Sequence, residues 1–168
     1  MATGLRLKQL KVMDLLGLHS EIITELCDRG ILRSVNNPAA DYAEFLVTRA
    51  LSLQPAPKSA KGFDAKDNEG RKYEIKARRF TRMSRPTRFS AIRNLEERRF
   101  DFLVVVLFDE RFRVSHARIL PRASVKKKAF WQAHVNGWIL PIRDDLWESK
   151  NGIDIGAKLR RIQRISAP

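Results

Sequence analysis

Residues 62–76 read Gly62-Phe63-Asp64-Ala65-Lys66-Asp67-Asn68-Glu69-Gly70-Arg71-Lys72-Tyr73-Glu74-Ile75-Lys76. This stretch predicts a β-hairpin, because Asp67 can open a tight turn and Gly70 accepts the left-handed conformation that closes it as a bulge. If Gly70 is the bulge residue, counting outward along the antiparallel strands places Asp64 directly opposite Glu74. The hairpin therefore decides which side chains meet.

The alternation of side chains along a strand sorts this hairpin into two faces. Directly opposite residues share a face, with Cβ atoms about 4.5–5.5 Å apart. Lys76 lies on the same face as Glu74, whereas Tyr73 and Ile75 point to the other face. The sequence thus predicts that two carboxylates and one amine meet on one face of the hairpin. They belong to Asp64, Glu74 and Lys76.

Such a group of side chains suits phosphodiester hydrolysis. The reaction needs an activated water and a cation that neutralises the charge on the phosphoryl oxygens, and hard divalent cations take oxygen ligands. Asp64, Glu74 and the main-chain carbonyl of Ile75 are the predicted ligands of Mg²⁺ or Mn²⁺. Lys76 would orient the attacking water or stabilise the pentavalent phosphorus. The alternative is an ordinary surface ion pair between Lys76 and Glu74.

A wider pattern resembles the PD-(D/E)XK, or restriction endonuclease-like, superfamily over residues 37–108. In that family a helix carrying a Glu precedes a hairpin, with an Asp on one strand and Glu-x-Lys on the next. Here the helical Glu is Glu44, and the strand residues are Asp64, Glu74 and Lys76. The resemblance implies an α/β fold with a mixed sheet of four to five strands flanked by helices.

The resemblance also implies an activity, magnesium-dependent cleavage of DNA, with Glu44 as an auxiliary ligand or base. Because some members have lost catalysis and only bind, a non-catalytic nucleic-acid-binding or regulatory protein is the alternative. RNA stays open as a substrate. Cutting both strands at once needs two active sites, which favours a homodimer.

The net charge of the chain also indicates a nucleic-acid partner. The chain has 168 residues, with 33 Lys plus Arg against 19 Asp plus Glu, a formal net charge of +14. Such an excess predicts a polyanionic partner, and DNA is the expected one. An anionic membrane would call for a basic amphipathic helix or a lipidation site, and neither is evident. With no long apolar run and no signal peptide, we expect a cytoplasmic protein without a membrane partner.

Basic residues follow the proposed catalytic strand and are expected to bind nucleic acid. They leave the strand that carries Glu74 and Lys76, so they would flank whatever that pair attacks. Arginine forms paired hydrogen bonds with phosphate without reading sequence, although a charge run can also be a solvated face. The expected nucleic-acid-binding residues are Arg78, Arg79, Arg82, Arg85, Arg88 and Arg93, together with Lys126, Lys127 and Lys128 of a later helix.

Other chemistries lack support in the sequence. Cys27 has no partner for an intrachain disulfide and lies among apolar residues, so it is expected to be a small buried hydrophobe. His19, His116 and His134 do not have zinc-ligand spacing. A glycine-rich phosphate loop is also missing from the sequence.

The order of elements predicts one globular domain in two parts. Residues 1–36 are an N-terminal helical segment packed on the core, preferred over a helix-turn-helix, and residues 37–168 are the nuclease-like α/β domain. The second part is expected to contain a helix at 38–51, a linker at 54–59, a doubly buried strand at 101–109, a strand at 112–119, a helix from 121 to 131, a short edge strand at 137–142 and a last helix capped by Asp154.

Overall fold

The computed structural model describes residues 6–36, 38–57, 60–93 and 95–165. Its helices are α1 (Val12–Asp28), α2 (Pro38–Leu51), α3 (Arg122–Lys128), α4 (Asp144–Trp147) and α5 (Gly156–Ile165), with short 3₁₀ helices at Leu7–Gln9 and Ala133–Val135. Its strands are β1 (Gln54–Pro55), β2 (Ala65–Lys66), β3 (Lys72–Arg79), β4 (Phe102–Phe108), β5 (Val114–Pro121), β6 (Phe130–Gln132), β7 (Gly137–Ile139) and β8 (Ile153–Asp154).

The main sheet is mixed and has six strands in the order β1-β2-β3-β4-β5-β8. Strands β3 and β4 are parallel, and the other neighbours are antiparallel. The α/β class with flanking helices is as expected, but the prediction of four to five strands was wrong. The additional edge strands β1 and β8 are two residues long, too short to leave a periodic pattern, and β1 lies within the predicted linker.

Strand β4 forms the centre of the molecule and is buried on both faces, as its continuous apolar run predicted. Val104 and Val106 pack with residues of α2 and α5 on one face of the sheet. Leu103 and Val105 pack on the other face, in a cluster that includes Phe89 from the β3–β4 connection. The sheet is thus a middle layer between two apolar clusters.

The parallel strands β3 and β4 are joined by residues 80–101, and the described part of this connection contains no helix. Parallel strands are usually joined through a helix. Here main-chain hydrogen bonds hold the segment instead, from Phe89 N to Leu140 O at 3.0 Å and from Ile92 N to Trp138 O at 2.8 Å. Arg82, Arg85 and Arg88 therefore lie in irregular structure and not in a helix.

The predicted helices are present, but the helix expected from 121 to 131 is shorter. The N-terminal segment contains one continuous helix, α1, which Gly30 follows with φ +66°. Helix α3 ends at Lys128, because Phe130 and Trp131 pair with β7 in a separate two-stranded ribbon. The predicted cap of the last helix is confirmed, since the Asp154 carboxylate accepts a 2.7 Å hydrogen bond from Gly156 N–H. No described helix is long and apolar enough to cross a membrane.

The hairpin has the predicted register. Ala65 pairs with Tyr73, and Asp67 N–H donates to Arg71 O at 3.1 Å. Gly70 has φ +80°, the left-handed conformation expected of the bulge. The turn residues therefore fix the alignment that brings Asp64 towards β3.

Gly70→Val is expected to lower the free energy of unfolding by about 1–2 kcal/mol, because β-branched residues strongly disfavour positive φ. The cause would be conformational, since among the described residues, its two chain neighbours apart, no heavy atom lies within 4 Å of a Cβ placed there. A shifted register would also weaken the metal affinity predicted for Asp64 and Glu74. Urea unfolding and calorimetric titration of Mn²⁺ measure the two effects.

Gly17→Ala is the matched control, because Gly17 also has open space around it but lies within α1 without a positive φ. This change should stabilise the protein by about 0.5–1 kcal/mol. Equal stability and metal affinity in Gly70→Val and the parent would contradict the role assigned to the turn.

Candidate functional site

Asp64 is held at the entrance to β2 by main-chain contacts on both sides. Its N–H donates to Tyr73 O at 2.7 Å, and its carbonyl accepts from Ala56 N–H at 2.8 Å. Its carboxylate oxygen Oδ2 accepts a 2.6 Å hydrogen bond from Ile75 N–H. The side chain therefore reaches across to the main chain of β3, in the middle of the Glu74-Ile75-Lys76 run.

Glu74 and Lys76 share one face of β3, as the alternation predicted. Tyr73 and Ile75 point the other way into the apolar cluster beneath α2. Lys76 Nζ lies 2.5 Å from Glu74 Oε1, and their side chains are only 19% and 12% exposed. The pair is thus an ion pair partly withdrawn from solvent.

Glu44 projects from α2 towards the same region. Its Oε2 accepts a 3.2 Å hydrogen bond from an Arg33 guanidinium nitrogen, and a second Arg33 nitrogen donates to Ala56 O at 3.1 Å. Arg33 thus ties α2 to the segment beside Asp64. Sequence reasoning missed this arginine, because it stands alone before Pro38 with no spacing that relates it to the acidic residues.

Burial and mutual repulsion raise the pKa values of two carboxyls. Burial, and then the negative charge of Asp64, raise the pKa of Glu44 to about 7. Burial, and then the charge of Glu74, raise the pKa of Asp64 to about 6, against the opposing effects of Ile75 N–H and Lys76. The ionised form of both carboxyls is therefore disfavoured, and a bound cation would stabilise it.

One cavity of about 750 Å³ collects most of the predicted site residues. Glu44, Asp64, Ile75 and Lys76 lie in its lining, and Glu74 stands next to it through its ion pair with Lys76. Four arginines complete the lining: Arg78, Arg79, Arg85 and Arg88. Carboxylates, an amine and guanidinium groups therefore face a common space.

The arginines of this cavity are anchored in different ways. Arg78 Nε donates to Arg88 O at 3.1 Å, and Arg88 donates to Gln132 Oε1 at 3.0 Å. The Arg79 guanidinium lies 4.2 Å from the centroid of the Phe112 ring. Arg85 is exposed. The loop thus presents guanidinium groups from a partly fixed main chain.

The remaining predicted basic residues lie outside the cavity lining. Arg82 is 3.5 Å from Glu110, and Arg93 is exposed on the β3–β4 connection. In α3, Lys126 pairs with Glu96 at 2.8 Å and Lys128 pairs with Asp145, while Lys127 is exposed. Their side chains could contact only a ligand that extends beyond the cavity.

The oxygen atoms around the cavity are of the kind that binds a hard cation. Within the described ranges, no group of three or more His, Cys, Asp or Glu side chains is arranged to hold a metal ion. Two carboxylates, Asp64 and Glu74, and the Ile75 carbonyl nevertheless offer only oxygen ligands, the kind that Mg²⁺ and Mn²⁺ prefer. Adjustment of the Glu74–Lys76 ion pair would give Glu74 freedom to act as a ligand.

The fold and the cavity define a mixed α/β protein with a carboxylate- and arginine-lined cleft. Comparison with known proteins finds no matching protein-family model and no significantly similar curated sequence. The chemistry of the cleft therefore rests on its own residues.

Proposed function

We propose that this protein is a divalent-metal-dependent nuclease of the PD-(D/E)XK type that hydrolyses phosphodiester bonds of DNA. The observation that carries the proposal is the single cavity shared by Glu44, Asp64 and Lys76 with four arginines. Guanidinium groups attract an anionic backbone, whereas the carboxylates repel it. A cation between carboxylate and phosphate resolves this conflict, and it would activate water and neutralise charge at phosphorus.

Each residue has a defined task in this proposal. Asp64, Glu74 and the Ile75 carbonyl would hold Mg²⁺ or Mn²⁺, which when bound supplies water activation and charge neutralisation at phosphorus. Lys76 donates to a phosphoryl oxygen or orients the attacking water. Glu44, with its pKa raised to about 7, is suited to accept a proton near neutral pH.

The direct test is incubation of the purified protein with supercoiled plasmid, linear duplex, single-stranded DNA and RNA, each with and without Mg²⁺ or Mn²⁺. Plasmid nicking that depends on the metal and stops with chelator is expected. Calorimetric titration of each cation, with a non-hydrolysable DNA analogue present, measures cation binding independently of turnover. Absence of both cleavage and cation binding at millimolar concentration would refute the proposal.

A second candidate is a non-catalytic nucleic-acid-binding protein with the same fold. Two observations favour it: the Lys76 amine is paired with Glu74, and the described carboxylates are not grouped as a metal centre. This candidate predicts salt-sensitive DNA binding without any divalent-cation effect. The titration above separates the two.

The remaining parts of the proposal concern setting and assembly. The net charge of +14 supports DNA as the partner, and the described chain has no helix that could cross a membrane. We place the protein in the cytoplasm, acting on nucleic acid rather than on a membrane. A homodimer would supply the two sites needed for cutting both strands.

Salt dependence tests the arginine lining. Contact with about six phosphates would give a slope of log K against log salt near −5 on duplex DNA, from about 0.9 per neutralised charge. Replacing Arg78, Arg85 and Arg88 together by Ala should flatten this slope by up to about 3 units. Fluorescence anisotropy over a salt series provides the measurement.

The matched control removes the same charge elsewhere, with Arg29, Lys150 and Arg161 changed to Ala. All three are exposed and lie outside the cavity lining. Their removal should leave the slope within about 1 unit of the parent. Equal flattening in both triple variants would show that the net charge of the protein, and not the cleft, governs binding.

A further inference from the structure

Helix α1 carries an apolar stripe. The rest of the chain covers this stripe along only half of the helix. With 3.6 residues per turn, Val12, Leu16 and Ile23 fall on one side of the helix. Ile23 is 7% exposed against the core, whereas Leu16 is 60% exposed and Val12 is 72% exposed. Leu15, beside them, is 37% exposed. The same stripe thus begins uncovered and ends buried.

A groove of about 830 Å³ runs beside the buried half of α1. Its apolar lining includes Ile22 and Leu26 of α1, Tyr42 of α2 and Phe112 of the β4–β5 turn. Five arginines belong to the same lining: Arg79, Arg111, Arg113, Arg160 and Arg164. The groove is therefore apolar in its surface and positive in its charge.

We propose that the uncovered half of α1 docks in this groove of a second copy of the chain, forming a two-fold symmetric dimer. One wall of the groove is the later half of α1 itself, so the docked helices lie antiparallel. A two-fold axis then brings residue 12 of one copy to residue 26 of the other and places His19 next to the axis. His19 lines the groove at this point.

Charge favours this occupant. Helix α1 contains four acidic residues, Asp14, Glu21, Glu25 and Asp28, and no Lys or Arg, in a chain of net charge +14. These acids lie on the side of α1 away from the apolar stripe, about one helix diameter of 10 Å from the groove floor. Their attraction to the groove arginines therefore acts at long range, near the Debye length of about 8–10 Å. The same acids would repel an anionic membrane surface.

Size is consistent with a stable interface. The 17 residues of α1 extend about 25 Å at 1.5 Å per residue. Each copy contributes both an inserted half-helix and a groove, so the contact occurs twice across the dimer. Stable interfaces bury about 800 Å² on each partner, and an exposed apolar stripe next to an apolar groove is the feature expected of one.

The oligomeric state and its response to charge test the proposal without reference to the chemistry of the cleft. By sedimentation equilibrium at micromolar concentration we expect a particle of twice the 19.4 kDa chain mass. Leu15→Glu with Leu16→Glu should raise the dimer dissociation constant by about a hundredfold or more, because charge would be buried at an apolar contact. At a protein concentration at which the parent is also monomeric, the variant and the parent should have the same thermal stability. The reason is that Leu15 and Leu16 are exposed in the single chain.

The control variant adds the same charge to the polar side of α1. Gly17→Glu with Thr24→Glu introduces two carboxylates at exposed positions of the same helix, each about 80° or more around the helix from Val12, Leu16 and Ile23. This variant should leave the dimer intact. A monomer at every concentration up to 100-fold above the working range would overturn the proposal. So would equal dissociation by both double variants.

Cross-linking tests the position of the axis. In a Cys27→Ala background, which removes the single native thiol, His19→Cys should form an intermolecular disulfide under mild oxidation. Glu21→Cys, on the opposite side of α1, should stay unlinked. Preferential linking through position 21 would overturn the antiparallel arrangement, and a dimer without linking at 19 would overturn it as well.

Discussion

Asp64→Asn is expected to reduce DNA cleavage by at least about a thousandfold, or about 4 kcal/mol of transition-state stabilisation, while raising thermal stability at pH 8. Asn keeps the size of the side chain and can still accept the hydrogen bond from Ile75 N–H. It lacks the negative charge that would hold a hard cation. Loss of activity together with a gain of stability distinguishes a functional carboxylate from a structural one.

The sign of the stability change follows from the pKa of Asp64. That pKa is about 6 in the folded chain and 3.8 as its ordinary value, so the folded state binds the proton more tightly. Stability from this group is therefore present at pH 4 and is lost as the pH rises through 6. A shift of this size, discounted for partial exposure, corresponds to about 1–2 kcal/mol at pH 8.

The measurement pairs a nicking assay with thermal unfolding at pH 4.5 and pH 8. Asp64→Asn should raise Tm by about 2–8 °C at pH 8 for a chain of this size, and by much less at pH 4.5. DNA affinity should be equal or higher, because a charge that repels phosphate is removed. Retained cleavage would exclude Asp64 as a ligand, and a fall in Tm at pH 8 would contradict the assigned electrostatics.

Asp101→Asn is the matched control. Asp101 Oδ2 also accepts a main-chain hydrogen bond from β3, from Lys72 N–H at 2.8 Å, but its side chain is exposed outside the cavity. The same chemical change there should leave cleavage intact. Any shared effect of the two variants would then come from the hydrogen bond to β3.

Local signals made the hairpin and central strand predictable. Gly70 and the turn before it fix the register through backbone conformation alone. Strand β4 is apolar at every position from Phe102 to Phe108, and only a strand covered on both faces tolerates that pattern. In both cases neighbours in sequence determine the structure.

Features that depend on distant partners could not be predicted in the same way. Strands β1 and β8 exist because a neighbouring strand offers free main-chain groups, and two residues carry no period of their own. Phe130 and Trp131 lie in strand β6 and not in the predicted helix, because β7 pairs with them across the short 3₁₀ helix at Ala133–Val135. Pattern arguments describe an isolated segment, whereas these outcomes depend on tertiary pairing.

The candidate site also has some features that follow from local sequence and others that depend on distant residues. Alternation on β3 correctly separated Glu74 and Lys76 from Ile75. The contact of Asp64 with Ile75 N–H instead depends on the main-chain path before β2, which Ala56 and Tyr73 fix from either side. The link from Arg33 to Glu44 spans 11 residues and arises from the packing of α2.

Lys76→Ala is expected to lower turnover by about 10²–10³-fold, or 2.7–4 kcal/mol, the scale known for one well-placed electrostatic donor. The carboxylates remain, so divalent-cation affinity should be unchanged or higher, since Glu74 would lose the partner now 2.5 Å away. Stability should fall somewhat, because the Glu74 side chain is only 12% exposed and would be left without its cation. Turnover under saturating metal and DNA, with calorimetric titration of Mn²⁺, measures these effects separately.

Two further variants separate catalysis from structure. Lys76→Arg can keep the ion pair with Glu74 and restore stability, but a planar guanidinium cannot occupy the position of a compact amine, so most of the turnover should stay lost. Lys72→Ala removes an exposed lysine on the same strand and should leave turnover unaltered. If Lys76→Arg restored turnover and stability together, or if Lys76→Ala lost stability alone, Lys76 would be only the surface ion-pair partner of Glu74. In either case the protein would still cleave DNA, and the electrostatic donor would have to be another residue of the cleft.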